Sequence, residues 1–127
     1  MLMIDTDVII FYLRGNENAY TQIEDNRGFF ISAITYMELI QGMRNKQELA
    51  VLKQSLQKWR TKVLHINESI SAKALYFVEH HYLEGSPELA DAIIGATAVE
   101  NGIPLLTANA RHYGMLKGIS LKKFKPS

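Results

Sequence analysis

Apolar positions along the chain fall into two alternating patterns. Five short apolar runs are each bounded by polar or glycine residues: Leu2 to Ile4, Phe29 to Ile31, Val63 to Ile66, Leu105 with Leu106, and Ile119 to Leu121. Short bounded runs of this kind predict buried strands. The intervening segments carry helical spacing. Leu49, Leu52, Leu56 and Trp59 share one helix face, and so do Ile70, Ala74, Phe77 and His81. Ser32 is placed to cap a helix from Ala33 to about Met43. Ser86-Pro87-Glu88 predicts another helix start, with Ser86 as N-cap and Pro87 at the first helical position. That helix runs through ADAIIGATAVE and stops at Asn101-Gly102, with Pro104 just beyond. Strands alternating with helices predict an α/β fold, a mostly parallel sheet covered on both faces. Ligands of such sheets bind outside the carboxyl ends of the strands.

Three acids fall where that edge is expected. Asp5 directly follows the first apolar run, and Asp7 lies two residues on, where a first-turn role is the simpler reading. Glu38 sits about two turns into the helix after the second strand, between Met37 and Leu39-Ile40. Asp91 occupies an early turn of the helix that opens at Ser86, among Ala90, Ala92, Ile93 and Ile94. A lone aspartate there would do no more than favour the helix dipole, an effect of about 0.3–1 kcal/mol. Three acids in apolar surroundings at one edge point to a common site. Two carboxylates about 4 Å apart repel by roughly 4 kcal/mol at an effective dielectric of 20, so protons or a cation must relieve them. All-oxygen donors without cysteine suit Mg²⁺ or Mn²⁺, and an ion so held can activate water against a phosphodiester.

Composition narrows the field without changing this picture. At 127 residues the length suits a single domain spanning 1–127, and 47% hydrophobic residues argue against disorder. The absence of cysteine excludes disulfide scaffolds, thiolate zinc sites and cysteine nucleophiles. No apolar stretch approaches the ~18 residues of a membrane span, and the N-terminus lacks the basic start of a signal peptide, so the expectation is a soluble cytoplasmic protein. Net charge is only +1, but Lys117, Lys122, Lys123 and Lys125 crowd the last eleven residues. They read either as a solvated surface or as a local basic rim for nucleic acid.

Four segments together resemble the PIN-domain family: IDTDV at Ile4–Val8, SAITYMELIQG at Ser32–Gly42, LADAIIGATA at Leu89–Ala98 and LLTANARHY at Leu105–Tyr113. Their order and spacing are similar to those of VapC-type toxins of prokaryotic toxin–antitoxin pairs, over essentially the whole chain. The resemblance implies a three-layer α/β/α sandwich with a five-stranded sheet and an endoribonuclease dependent on Mg²⁺ or Mn²⁺. It further implies an RNA substrate, a small VapB-like antitoxin partner and a homodimer. Asp5, Glu38 and Asp91 match its acidic metal-site positions, and Thr107 and Asn109 the polar positions of the last motif. His112 stands where many members carry a fourth acid, and Phe11 where some carry another aspartate. The imidazole of His112 can bind metal when neutral or hold a phosphate when charged. It can equally be a surface histidine.

Other candidates carry less. His80 and His81 are adjacent and lack the i, i+4 spacing of a zinc pair. His65 is expected to pack within the third strand, and Trp59 and Tyr76 to belong to the core. The glycines form no phosphate-cradling pattern. An aspartyl phosphatase needs a Gly-Thr turn after the first acids, where Val8-Ile9 stands. A receiver domain needs an aspartate ending a middle strand, where His65-Ile66-Asn67 stands. The remaining alternative is a catalytically silent PIN-like binding module.

Overall fold

A computed structural model describes residues 1–85 and 87–127. Its five strands are β1 (Met3–Ile4), β2 (Phe30–Ser32), β3 (Lys62–Leu64), β4 (Leu105–Thr107) and β5 (Leu121–Lys123). They form one sheet in the order β3-β2-β1-β4-β5, and every pairing is parallel. The seven α-helices among the described residues are α1 (Thr6–Leu13), α2 (Glu17–Asp25), α3 (Ala33–Gln41), α4 (Lys46–Lys58), α5 (Glu68–His81), α6 (Leu89–Asn101) and α7 (Ala110–Tyr113).

Successive residues of a strand point to opposite faces, and this alternation divides the core in two. Leu2, Ile4, Ile31 and Leu106 join one cluster with Val8 and Ile9 of α1, Ile23 of α2 and Leu52 and Leu56 of α4. Met3 and Leu105 join the other with Ile70 and Phe77 of α5, Ile94 of α6 and Tyr113 of α7. The result is the expected α/β/α sandwich. β1 and β4 are buried on both faces, as inner strands of parallel sheets are. α6 can lie close to the segment after α7 because residue 95 is glycine: a Cβ there would stand 2.5 Å from a Leu116 methyl.

Ser32 caps α3 as expected, its hydroxyl accepting from the Ile34 N–H. The two predicted helix faces also hold: Leu52, Leu56 and Trp59 are buried, and so are Ile70, Ala74, Phe77 and His81. Several boundaries differ. β3 ends at Leu64, so His65 lies outside it and is exposed. β5 begins at Leu121 rather than Ile119 and takes in two lysines. Both are edge strands, where polar side chains face water and apolar runs are a poor guide. α6 begins at Leu89, with Glu88 rather than a serine at its N-cap; Ser86 lies outside the described residues, and Pro87 precedes the helix by two positions. Tyr76 is 45% exposed and stacks on His80 instead of entering the core.

Candidate active site

The strand order reverses direction between β1 and β4, and in open parallel sheets such a switch point opens a crevice at the carboxyl edge. Asp5 immediately follows β1 and Thr107 ends β4 beside it. Asp5 is 5% exposed and caps α1. One of its oxygens accepts from the Thr6 backbone N–H at 2.8 Å, and the other from the Thr107 hydroxyl at 2.8 Å. Burial raises its pKa to about 7, and the neighbouring Asp7 charge adds to the shift. The hydrogen bonds from Thr107 and Thr6 oppose it.

Asp7 belongs to the same cluster. Its Oδ2 accepts from the Ala108 backbone N–H at 3.1 Å and from the Asn109 side-chain amide at 2.9 Å. It thereby ties α1 to the loop after β4. Its Oδ1 is buried without a hydrogen-bond partner, and burial again pushes the carboxyl pKa up. The backbone N–H of Asn109 donates to the Thr107 hydroxyl at 3.0 Å, which leaves the Thr107 proton aimed at Asp5.

Tyr113, from α7, is bonded to Asp91 and lies near Asp5. Its hydroxyl donates its one proton to Asp91 Oδ1 at 3.2 Å. The phenol is almost fully buried. Burial and the charges of Asp5 and Asp91 hold its pKa far above the usual phenol range, so it remains a donor. Asp91 is half-buried near the start of α6, and burial raises its pKa while the Tyr113 bond and nearby His112 lower it. His112 is 62% exposed, with Nδ1 3.7 Å from Asp91 Oδ2.

Glu38 approaches from α3 through a hydroxyl relay. The Thr6 hydroxyl lies 2.7 Å from Glu38 Oε1 and 3.0 Å from the Thr35 hydroxyl. A carboxylate can only accept, so the single Thr6 proton goes to Glu38 and the Thr35 proton to Thr6. Of Glu38's apolar neighbours only Leu39 is buried; Met37 and Ile40 lie on the surface.

Asp5, Asp7, Thr107 and Asn109 thus lie along one connected set of hydrogen bonds that Glu38 joins through Thr6, while Asp91, Tyr113 and His112 form a second group beside it. The acids meet through hydroxyl groups rather than directly. As placed, no three acidic or histidine side chains among the described residues converge to hold a metal ion. The chemistry of the donor set still suits a hard divalent cation: the nearby donors are oxygens, two buried aspartates repel each other, and one buried Asp7 oxygen lacks a partner. Phe11 supplies no acid and instead packs against Phe124, with ring centroids 5.7 Å apart. The sequence reading gave no role to Thr6 or Tyr113 and a lesser one to Asp7. Thr6, Asp7 and Tyr113 all lie within the motif segments, and the D-x-D after the first strand was the available signal for Asp7.

An open parallel α/β sheet with aspartates gathered at its switch point defines the class of protein. The PIN domain family model matches residues 2–115, and the chain belongs to that family. It is 29% identical to Ribonuclease VapC1 of Methanocaldococcus jannaschii over 122 residues, covering 95% of this chain and 85% of that protein. It also superposes on a chain of the DNA-bound VapBC crystal structure from Salmonella typhimurium with a TM-score of 0.84, at 25% identity and with 98% of each chain covered. The FitAcB crystal structure from Neisseria gonorrhoeae shares the fold at a TM-score of 0.79 and 24% identity, with 99% of this chain and 98% of that chain covered.

Proposed function

We propose that the chain is a divalent-metal-dependent endoribonuclease of VapC type, acting in the cytoplasm as the toxin of a toxin–antitoxin pair. The observation that carries this reading is the buried Asp5 carboxyl at the switch point of the sheet, joined to Glu38 through Thr6, with the Tyr113–Asp91 pair close enough for both carboxylates to act on the phenol. Similarity to a ribonuclease and to toxin–antitoxin complexes supports the same reading.

Asp5, Glu38 and Asp91 are the residues that would hold Mg²⁺ or Mn²⁺. Such an ion neutralises charge on a phosphodiester and acidifies a water molecule. The protein's own groups do the rest. Thr107 and the Thr6 N–H each bond one oxygen of the Asp5 carboxyl and so fix its orientation. Asn109 and the Ala108 N–H hold Asp7 and keep the loop after β4 against α1. Tyr113 keeps its proton and steadies Asp91. His112, exposed beside Asp91, can meet a phosphate oxygen when charged. The partners under this reading are single-stranded RNA as substrate, a VapB-like antitoxin as inhibitor and a second copy of the chain.

A second reading has one observation in its favour: no three ligands converge as placed among the described residues, which suits a catalytically silent binding module. Incubation of a labelled single-stranded RNA in Mg²⁺ or Mn²⁺, with and without chelator, separates the two. Metal-dependent cleavage that falls at least a hundredfold in Asp5→Asn supports the nuclease. RNA left intact by the wild-type chain in every tube supports the silent module. Near-normal turnover by Asp5→Asn would remove Asp5 from the ligand set.

A further inference from the structure

Beside the carboxylate cluster lies a recess of about 740 Å³ between the α7 segment and β5. Asn109, Arg111 and His112 line one wall, Leu121, Lys123 and Lys125 the other, and none of its lining residues is acidic. Asn109 and His112 belong to both places: the first bonds Asp7, and the second stands 3.7 Å from Asp91. The recess is therefore continuous with the site. Its cations are concentrated by sequence. No acidic residue follows Glu100, while Arg111, Lys117, Lys122, Lys123 and Lys125 do. Among the described residues, Arg111, Lys123 and Lys125 are exposed and none has an acidic side chain within ion-pair distance.

The segment that carries Lys123 and Lys125, β5 and the residues after it, is anchored on three sides. Lys123 is in register with Thr107, the threonine that holds Asp5. The Phe124 N–H donates to the Thr107 carbonyl at 2.8 Å, and the Phe124 ring is buried against Phe11. The side-chain amides of Asn18 and Asn16 donate to the carbonyls of Lys125 and Pro126, each at 3.0 Å. Lys123 and Lys125 are exposed at the recess on either side of the buried Phe124. A tail of merely solvated charges needs no such fixing.

We infer that this recess is the subsite for the RNA strand next to the cleaved bond, with Lys123 and Lys125 binding backbone phosphates and Arg111 facing them across the groove. The inference rests on the nuclease reading for the identity of the substrate. The cations here would draw a polyanion towards a site whose own carboxylates repel it, which answers the electrostatic problem of a chain with a net charge of only +1.

The test compares the wild type with Lys123→Ala/Lys125→Ala and with Lys123→Arg/Lys125→Arg, using one labelled single-stranded oligoribonucleotide. Cleavage in Mg²⁺ or Mn²⁺ gives KM and kcat, and binding in chelator at several salt concentrations gives the slope of log Kd against log salt. The double alanine variant is expected to raise KM about tenfold with kcat within about twofold. Its salt slope should fall by about 1.4, since each phosphate contact on a single strand contributes about 0.7. The arginine pair should restore both. Unchanged KM and slope in the alanine variant overturn the inference. So does unchanged RNA handling with loss of inhibition by a protein partner, which would assign the recess to that partner. If the wild type cleaves nothing, the nuclease reading fails by itself, and the salt slope in chelator still decides whether the recess binds RNA.

Discussion

The carboxyl of Asp5 makes the stability of the chain depend on pH in an unusual direction. Its pKa rises from 3.8 to about 7 on folding. Between those values the folded chain keeps a proton that the unfolded chain has released. Stability therefore declines as pH rises through that window and is lowest above it. Asp7 and Asp91 shift the same way. Thermal unfolding in chelator should give a Tm several degrees lower at pH 8 than at pH 5. Asp5→Asn should flatten that difference, because the amide cannot ionise, and a full difference in the variant would place its origin elsewhere. Asp5 was legible in the sequence because it ends an apolar run. Tyr113 was not, since a buried aromatic reads as packing until its hydroxyl is seen bonded to Asp91. Thr6 hides in the same way, as an ordinary first-turn residue whose proton reaches a glutamate 32 positions away.

At the scale of elements, the placement of Asp91 depends on how closely α6 approaches the chain around α7. Gly95 makes that approach possible, with a Leu116 methyl where its Cβ would be. Gly95→Val would force two buried segments apart. Overpacking of this kind costs about 1–3 kcal/mol, so a Tm drop of several degrees is expected. The Tyr113–Asp91 contact should weaken with it, and a variant as stable as the wild type would show that the helix slides freely. Helices with an apolar stripe, such as α4 and α5, could be read from spacing alone. The two edge strands could be located but not bounded: β3 and β5 are held by backbone pairing to a neighbour, and their side chains follow water more than the core. The start of α6 was misplaced for a related reason. Proline favours a first helical turn but does not compel one, and Pro87 is buried just ahead of the helix instead.

For the whole molecule, the sandwich gathers acids at the switch point and leaves its cations beside them on the far edge strand. The overall charge of +1 conceals this separation. A divalent cation entering the acidic side would relieve repulsion in the folded chain alone and so stabilise it by linkage. At about ten times its Kd the gain is roughly 1.4 kcal/mol. Mg²⁺ or Mn²⁺ at pH 8 should then raise Tm by about 5 °C in the wild type and by much less in Asp5→Asn; equal responses would mean that the ion binds elsewhere. The fold class and the edge that carries the site were legible because strand and helix periods differ and parallel sheets have one ligand edge. The hydroxyl bridges were not, because they join side chains whose proximity exists only after folding.

The bond from Thr107 to Asp5 spans 102 positions. A ribosome delivers residues in order, so a nascent chain displays Asp5, Asp7 and Glu38 long before β4 exists to pair with β1. Until Leu105–Thr107 and then Tyr113 emerge, the inner strand lacks one neighbour, Asp5 lacks its hydroxyl contact and Asp91 lacks its phenol. Activity of the proposed kind would thus be withheld during synthesis by the order of the elements alone, and would switch on only once β4 and α7 have left the tunnel.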